Sequence, residues 1–186
     1  MKTRDFLKKH RACAYGAKWA LSISDDMADV WDAMIKDGEY AWLIWTLSRP
    51  GVFPDSVLRK LACRFVRETP LTDGRKVWDL LTDERSRKAV EVTEAYADGK
   101  ATNEELKAAS DAAFATAYVA PHAADAAFAT CAAYGARAAA RAARAARAAC
   151  AAYGARAAAR AADAAYVHAK AAQIKMIAEL GNPFIK

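Results

Sequence analysis

Residues 54–68 read PDSVLRKLACRFVRE, and the spacing of their apolar side chains decides the fold class. Val57, Leu58, Leu61, Ala62, Phe65 and Val66 recur every three or four positions, which places them on one face of an α-helix. Pro54 suits the first helical position, because the first turn leaves its amide unpaired anyway. Pro70 prevents the helix from running on.

Working towards the N-terminus, the same period predicts one helix over Arg4–Leu21, with Phe6, Leu7, Ala14, Ala17, Lys18 and Leu21 on one broad side. Ser22 or Ser24 is placed to cap the next helix. Asp25, Asp26 and Asp29 lie near its start, where unpaired amides and the helix dipole favour carboxylates. That helix turns Met27, Val30, Trp31 and Met34 inward and ends at Asp37-Gly38. Glu39–Leu47 contains Tyr40, Trp42, Leu43, Ile44 and Trp45, too dense an apolar set to face water on more than one side. Arg49-Pro50-Gly51 is a turn.

Towards the C-terminus, Thr72-Asp73-Gly74 turns the chain into Val77, Trp78, Leu80 and Leu81, with Trp78 expected to be buried. Thr82 is the expected N-cap of a helix with Asp83 and Glu84 in its first turn. Ala89, Val90, Val92 and Tyr96 carry its apolar content until Gly99 breaks it. Thr102 and Glu105 form a capping box for the helix after that. Strand formers never alternate for long with polar residues, so the chain is expected to be all-α.

From residue 108 to 172, 37 of 65 residues are alanine, which changes how helices pack. Alanine has the highest helix propensity and lets backbones approach closely, so van der Waals contact replaces bulky knobs. DAAFAT occurs at 111–116 and 125–130, and CAAYGARAAAR at 131–141 and 150–160. These unequal shifts read as local duplication. Pro121 starts or kinks a helix. Gly135 and Gly154 either mark close helix crossings, with the adjacent Tyr as anchor, or break the stretch into antiparallel helices. CAYGAK at 13–18 repeats the wording inside a segment expected to be helical. The expected architecture is a short-helix bundle over 1–107 and a long-helix region over 108–186, packed together as one domain.

The net charge of +6 is unevenly placed. Residues 1–124 hold 19 basic and 19 acidic side chains, whereas 125–186 hold 9 and 3. Arg137, Arg141 and Arg144 fall within about 60° on a helical wheel with Arg147 beside them. This is an alternative nucleic-acid face, or an arginine row that keeps an alanine-rich helix in water. No strongly apolar run reaches membrane-spanning length and no secretion signal opens the chain, so a cytoplasmic protein is expected. Cys13, Cys63, Cys131 and Cys150 are expected to be reduced.

His10, His122 and His168 are isolated, and no HExxH, CxxC, phosphate loop or paired nucleophile and base is present. No catalytic residue, metal or cofactor is expected. Tyr40, Trp42 and Trp45 with Trp19, Trp31 and Trp78 either line a peptide groove or form a small core. Asp83, Arg85 and Glu91 also read in two ways. The acids serve the helix start while Arg87 and Glu91 pair at i,i+4, or the Asp-x-Arg element presents fixed charge to a partner.

The run VWDLLTDERSRKAVEVTEAYADGKATNEELKAA at 77–109, the alanine-rich stretch, and AAQIKMIAELGNPFIK at 171–186 resemble a set of uncharacterised bacterial and phage proteins. Those combine an LLTD-x-RSR-x-AVE segment, variable Ala/Arg repeats and a terminal GNPF. Asp83, Arg85, Ala89, Val90 and Glu91 are also similar to a pattern in immunity proteins of bacterial polymorphic toxin systems. The resemblance implies an all-α, non-enzymatic protein-binding inhibitor. Its partner would be a toxin or, for a phage counter-defence protein, a defence-system component. Asp83, Arg85 and Glu91 are the expected partner-binding residues, and a homodimer is a further expectation.

Overall fold

The computed structural model describes residues 1–71, 73–81, 83–117 and 159–185. Its helices are α1 (Thr3–Lys9), α2 (Ala14–Ile23), α3 (Met27–Lys36), α4 (Tyr40–Leu47), α5 (Asp55–Glu68), α6 (Glu84–Ala97), α7 (Asn103–Ala117) and α8 (Ala159–Ala178), with a 3-10 turn at Val77–Leu80. Among the described residues there is no strand, and the fold is all-α as expected. Two isolated bridges, Lys2 with Asp26 and Pro70 with Lys76, tie loops together. The expected crossings or breaks at Pro121, Gly135 and Gly154 lie outside the described residues, as does most of the stretch expected to form long antiparallel helices.

The single helix expected over Arg4–Leu21 is two helices. The chain leaves α1 at His10, and Arg11 adopts a left-handed backbone with φ of 51°. Ala12 N donates to Leu7 O at 3.0 Å and Arg11 N donates to Lys8 O at 3.3 Å, which satisfies the last carbonyls of α1. The same pair of bonds closes α3 at Gly38, through Glu39 N to Met34 O at 2.9 Å and Gly38 N to Ile35 O at 3.3 Å. It closes α6 at Gly99 as well, through Lys100 N to Ala95 O at 2.7 Å and Gly99 N to Tyr96 O at 3.0 Å. Glycine announces the motif at those two ends. At the first end an arginine occupies the position, so apolar periodicity alone ran the helix through the break.

Helix starts show smaller differences. Cys13 caps α2, its Sγ accepting from Gly16 N at 3.4 Å. Asp26 caps α3 in place of Ser22 or Ser24, accepting from Ala28 N at 3.0 Å. Ser24 supports that start by accepting from Asp26 N at 3.1 Å and donating to Asp29 at 2.6 Å. Pro54 stands at the N-cap of α5, one residue before the expected place. The Thr102–Glu105 capping box forms in both directions, at 2.7 and 3.2 Å.

The main core lies between α1, α3, α4, α5 and α8. Phe6, Met27, Val30, Trp31, Leu58 and Leu61 are each 1% exposed, and Leu43, Leu47 and Phe65 are fully buried. A second cluster joins α5 to α6 through Ala62, Cys63, Val66, Leu81 and Val90. Burial pushes the Cys63 thiol up to about 12, so it stays protonated at neutral pH. The α6–α7 contact is built from small residues, with Ala89 and Ala113 buried and Ala109 packed on them.

The C-terminal segment closes the main core. Met176 and Ile177 are buried in it. Gln173, 2% exposed, accepts from the Tyr40 hydroxyl and donates to Thr69 Oγ1 at 3.0 Å. After Gly181 ends the helix region, Asn182 Nδ2 donates to Ala28 O and Asp32 Oδ1, both at 2.9 Å. Phe184 then packs edge-on to Phe6, with ring centroids 5.4 Å apart. Each buried polar group here has a named partner, so the cost of removing it from water is offset.

Candidate functional site

Two surfaces carry the sequence-derived candidates, one at the start of α6 and one between α1 and α4. At the first, Asp83 is itself the N-cap of α6, not a residue of its first turn, and Thr82 lies outside the described residues. Asp83 Oδ1 accepts from Arg85 N at 2.8 Å and from Arg85 Nε at 3.1 Å, while Oδ2 accepts from Nη2 at 2.9 Å. One carboxylate therefore both caps the helix and holds a planar guanidinium in a two-point fork. The side-chain bond from Arg85 keeps the Asp83 carboxyl below the usual carboxylate range.

Glu91 is not part of that fork. It lies six residues beyond Arg85, about 120° around a helix of 3.6 residues per turn. Glu84, Arg87, Lys88 and Glu91 instead line a shallow depression along α6. The expected Arg87–Glu91 pair does not form. Lys88 pairs with Glu91 at 3.7 Å, and the Arg87 guanidinium lies 5.5 Å from the Trp78 ring centroid. Arg67 stacks on the same ring at 4.1 Å and forms a two-point pair with Glu94. Trp78 is therefore half-buried between two cations, not buried as expected. Charge–ring attraction stabilises that arrangement without full desolvation.

At the second surface the tryptophans separate by role. Trp31 and Tyr40 belong to the core, whereas Trp19, Trp42 and Trp45 wall a pocket of about 320 Å³. Trp19 and Trp42 meet in a tilted contact with centroids 4.5 Å apart, and the pocket floor includes Met27, Met34 and Thr46. Arg11, Cys13 and Ala41 are exposed at its rim. Gly16 lies against one wall, where an added Cβ would stand 3.6 Å from Trp42 Nε1. This glycine thus faces a side chain, not a crossing helix backbone, and its neighbour Tyr15 is 77% exposed and anchors no core. Sequence reasoning had the tryptophans but missed Arg11 and Thr46. The available signal was the stretch from 6 to 24, which holds Lys8, Lys9, Arg11 and Lys18 and no acid.

Arg137, Arg141, Arg144 and Arg147 lie outside the described residues. Among the described residues no group of three or more His, Cys, Asp or Glu side chains is placed to hold a metal ion, and no helix is long and apolar enough to cross a membrane. No protein-family model, curated protein or solved structure matches the chain.

Proposed function

We propose that this protein is a non-enzymatic, cytoplasmic protein-binding inhibitor, similar to immunity or phage counter-defence proteins, and that it engages a toxin or defence-system component through the start of α6. The observation that carries this reading is the Asp83–Arg85 fork. The Arg85 side chain is 57% exposed, yet its orientation is set within the chain by Asp83. A guanidinium held this way loses little further freedom on binding and offers its remaining N–H groups in a fixed plane. Arg87 and half-buried Trp78 stand beside the row that contains Glu91, and arginine and tryptophan are the residue types that dominate protein interfaces.

The basic excess of residues 125–186 favours a second reading, nucleic-acid or ribonucleoprotein binding through Arg137, Arg141, Arg144 and Arg147. A tagged pull-down from native lysate, with and without nuclease, separates the two. The first reading expects a stoichiometric protein that survives nuclease and is lost with Arg85→Ala and Arg85→Lys while far-ultraviolet circular dichroism is unchanged. Capture lost on nuclease treatment, or retained by both Arg85 variants, overturns it.

A further inference from the structure

The pocket walled by Trp19, Trp42 and Trp45 takes no part in the proposed α6 interface, yet it has the anatomy of a ligand site. Small-molecule sites are mostly apolar concavities with a few convergent polar groups, starting near the volume seen here of about 320 Å³. At about 30 Å³ per liquid water, that is room for roughly ten non-hydrogen atoms.

Two polar groups in it are unusual in ways that point to an occupant. Thr46 is 2% exposed, and its hydroxyl donates to the Met34 sulfur, at 3.9 Å. A helical threonine ordinarily bonds back to the carbonyl four residues earlier. Thr93 does so, donating to Ala89 O at 2.7 Å. Thr46 instead meets a weak acceptor on the pocket floor, and its own lone pairs accept from no donor among the described residues. The other group is Arg11. Among the described residues it is the one non-glycine in the left-handed region, a backbone state that is strained for a residue with a side chain, and its guanidinium has no ion-pair partner among them. Among the described residues it is also the only charged one lining the pocket, on a stretch from 6 to 24 with four cations and no acid.

We propose that this pocket binds a small aromatic monocarboxylate with a hydrogen-bonding group at its far end, carboxylate at Arg11, ring among the three tryptophans and distal group at Thr46. The indoles of Trp19 and Trp42, tilted 51° to one another, and that of Trp45 present aromatic faces and edges that favour a flat ring over an aliphatic chain of equal size. The lone cation at the rim balances one negative charge and repels an amine. A left-handed arginine, less stable than glycine there, is the kind of local strain that persists at ligand sites.

Isothermal titration of the full chain with 4-hydroxyphenylacetate tests this, with phenylacetate and tyramine as comparators. Saturable binding with Kd of about 0.1–1 mM is expected. Phenylacetate should bind about three- to tenfold more weakly for want of one hydrogen bond, and tyramine more weakly still. Arg11→Gly should raise Tm by about 2–4 °C, yet weaken 4-hydroxyphenylacetate about tenfold, a combination that a purely structural arginine does not produce. Thr46→Val should abolish the preference for the hydroxylated acid. Ala41→Trp, at the exposed rim, should block all binding without changing the melting curve. No saturable heat up to 5 mM ligand, or undiminished binding in the Arg11→Gly or Ala41→Trp protein, overturns the proposal.

Discussion

The α1–α4 region and the α6–α7 pair meet the same packing demand with opposite side chains. The first buries Phe6, Met27, Trp31, Tyr40 and Leu43, so each contact removes a large apolar area from water. The second meets across Ala89, Ala109 and Ala113, with Ser86 and Thr93 buried nearby. Apart from Leu106 of α7, which is 3% exposed, each residue there contributes little area, and close backbone approach and helix caps must supply what bulk does not. Large side chains also leave gaps where they fail to interlock, and the tryptophan pocket is such a gap.

Three substitutions test this contrast. Trp31→Ala should have the largest effect, a loss of about 3–5 kcal/mol in urea unfolding, because a fully buried indole leaves a void its neighbours only partly fill. A loss under about 1 kcal/mol would mean that the N-terminal core is as shallow as the alanine seam. Ala113→Leu should cost about 1–3 kcal/mol through overpacking of the α6–α7 contact, despite the good helix propensity of leucine. Greater stability in that variant would show a loose seam and dissolve the comparison. Thr102→Ala should cost about 1 kcal/mol by removing half of a capping box. The loss should appear as faster amide exchange in α7 before any change in α3, since α7 leans on its cap more than on buried area.

Much of the helical register was legible. Met27, Val30, Trp31 and Met34 are all buried on α3, and Leu58, Leu61, Ala62, Phe65 and Val66 on α5, because a 3.6-residue period leaves a direct imprint on residue type. Three readings failed where a local signal was missing or a partner was distant. The α1–α2 break carries arginine where glycine would mark it. Trp78 is held half-exposed by Arg67, whose position follows from how α5 meets the 3-10 turn. Arg87 turns to that ring instead of to Glu91, since the ring competes for the cation in a way no i,i+4 count includes. The candidate site residues were legible as types, but only helix geometry separated the Asp83–Arg85 fork from Glu91.

A few neighbouring residues are enough to decide the all-α class, the buried stripes, the turns at Asp37-Gly38 and Arg49-Pro50-Gly51, the stop at Gly99 and the Thr102–Glu105 box. These depend on backbone sterics, hydrogen bonds within a turn and apolar period, all of which act over short separations. The tertiary structure alone decided that Gln173 joins Tyr40 and Thr69, that Asn182 ties the last turn to α3, and that three of five tryptophans wall a pocket while Trp31 fills the core. The Gln173 and Asn182 contacts join residues more than a hundred positions apart, and the pocket joins α1, α2, α3 and α4 with the loop between the first two. Their energy comes from shape and from polar groups satisfied across helices, and neither has a period that a chain can display.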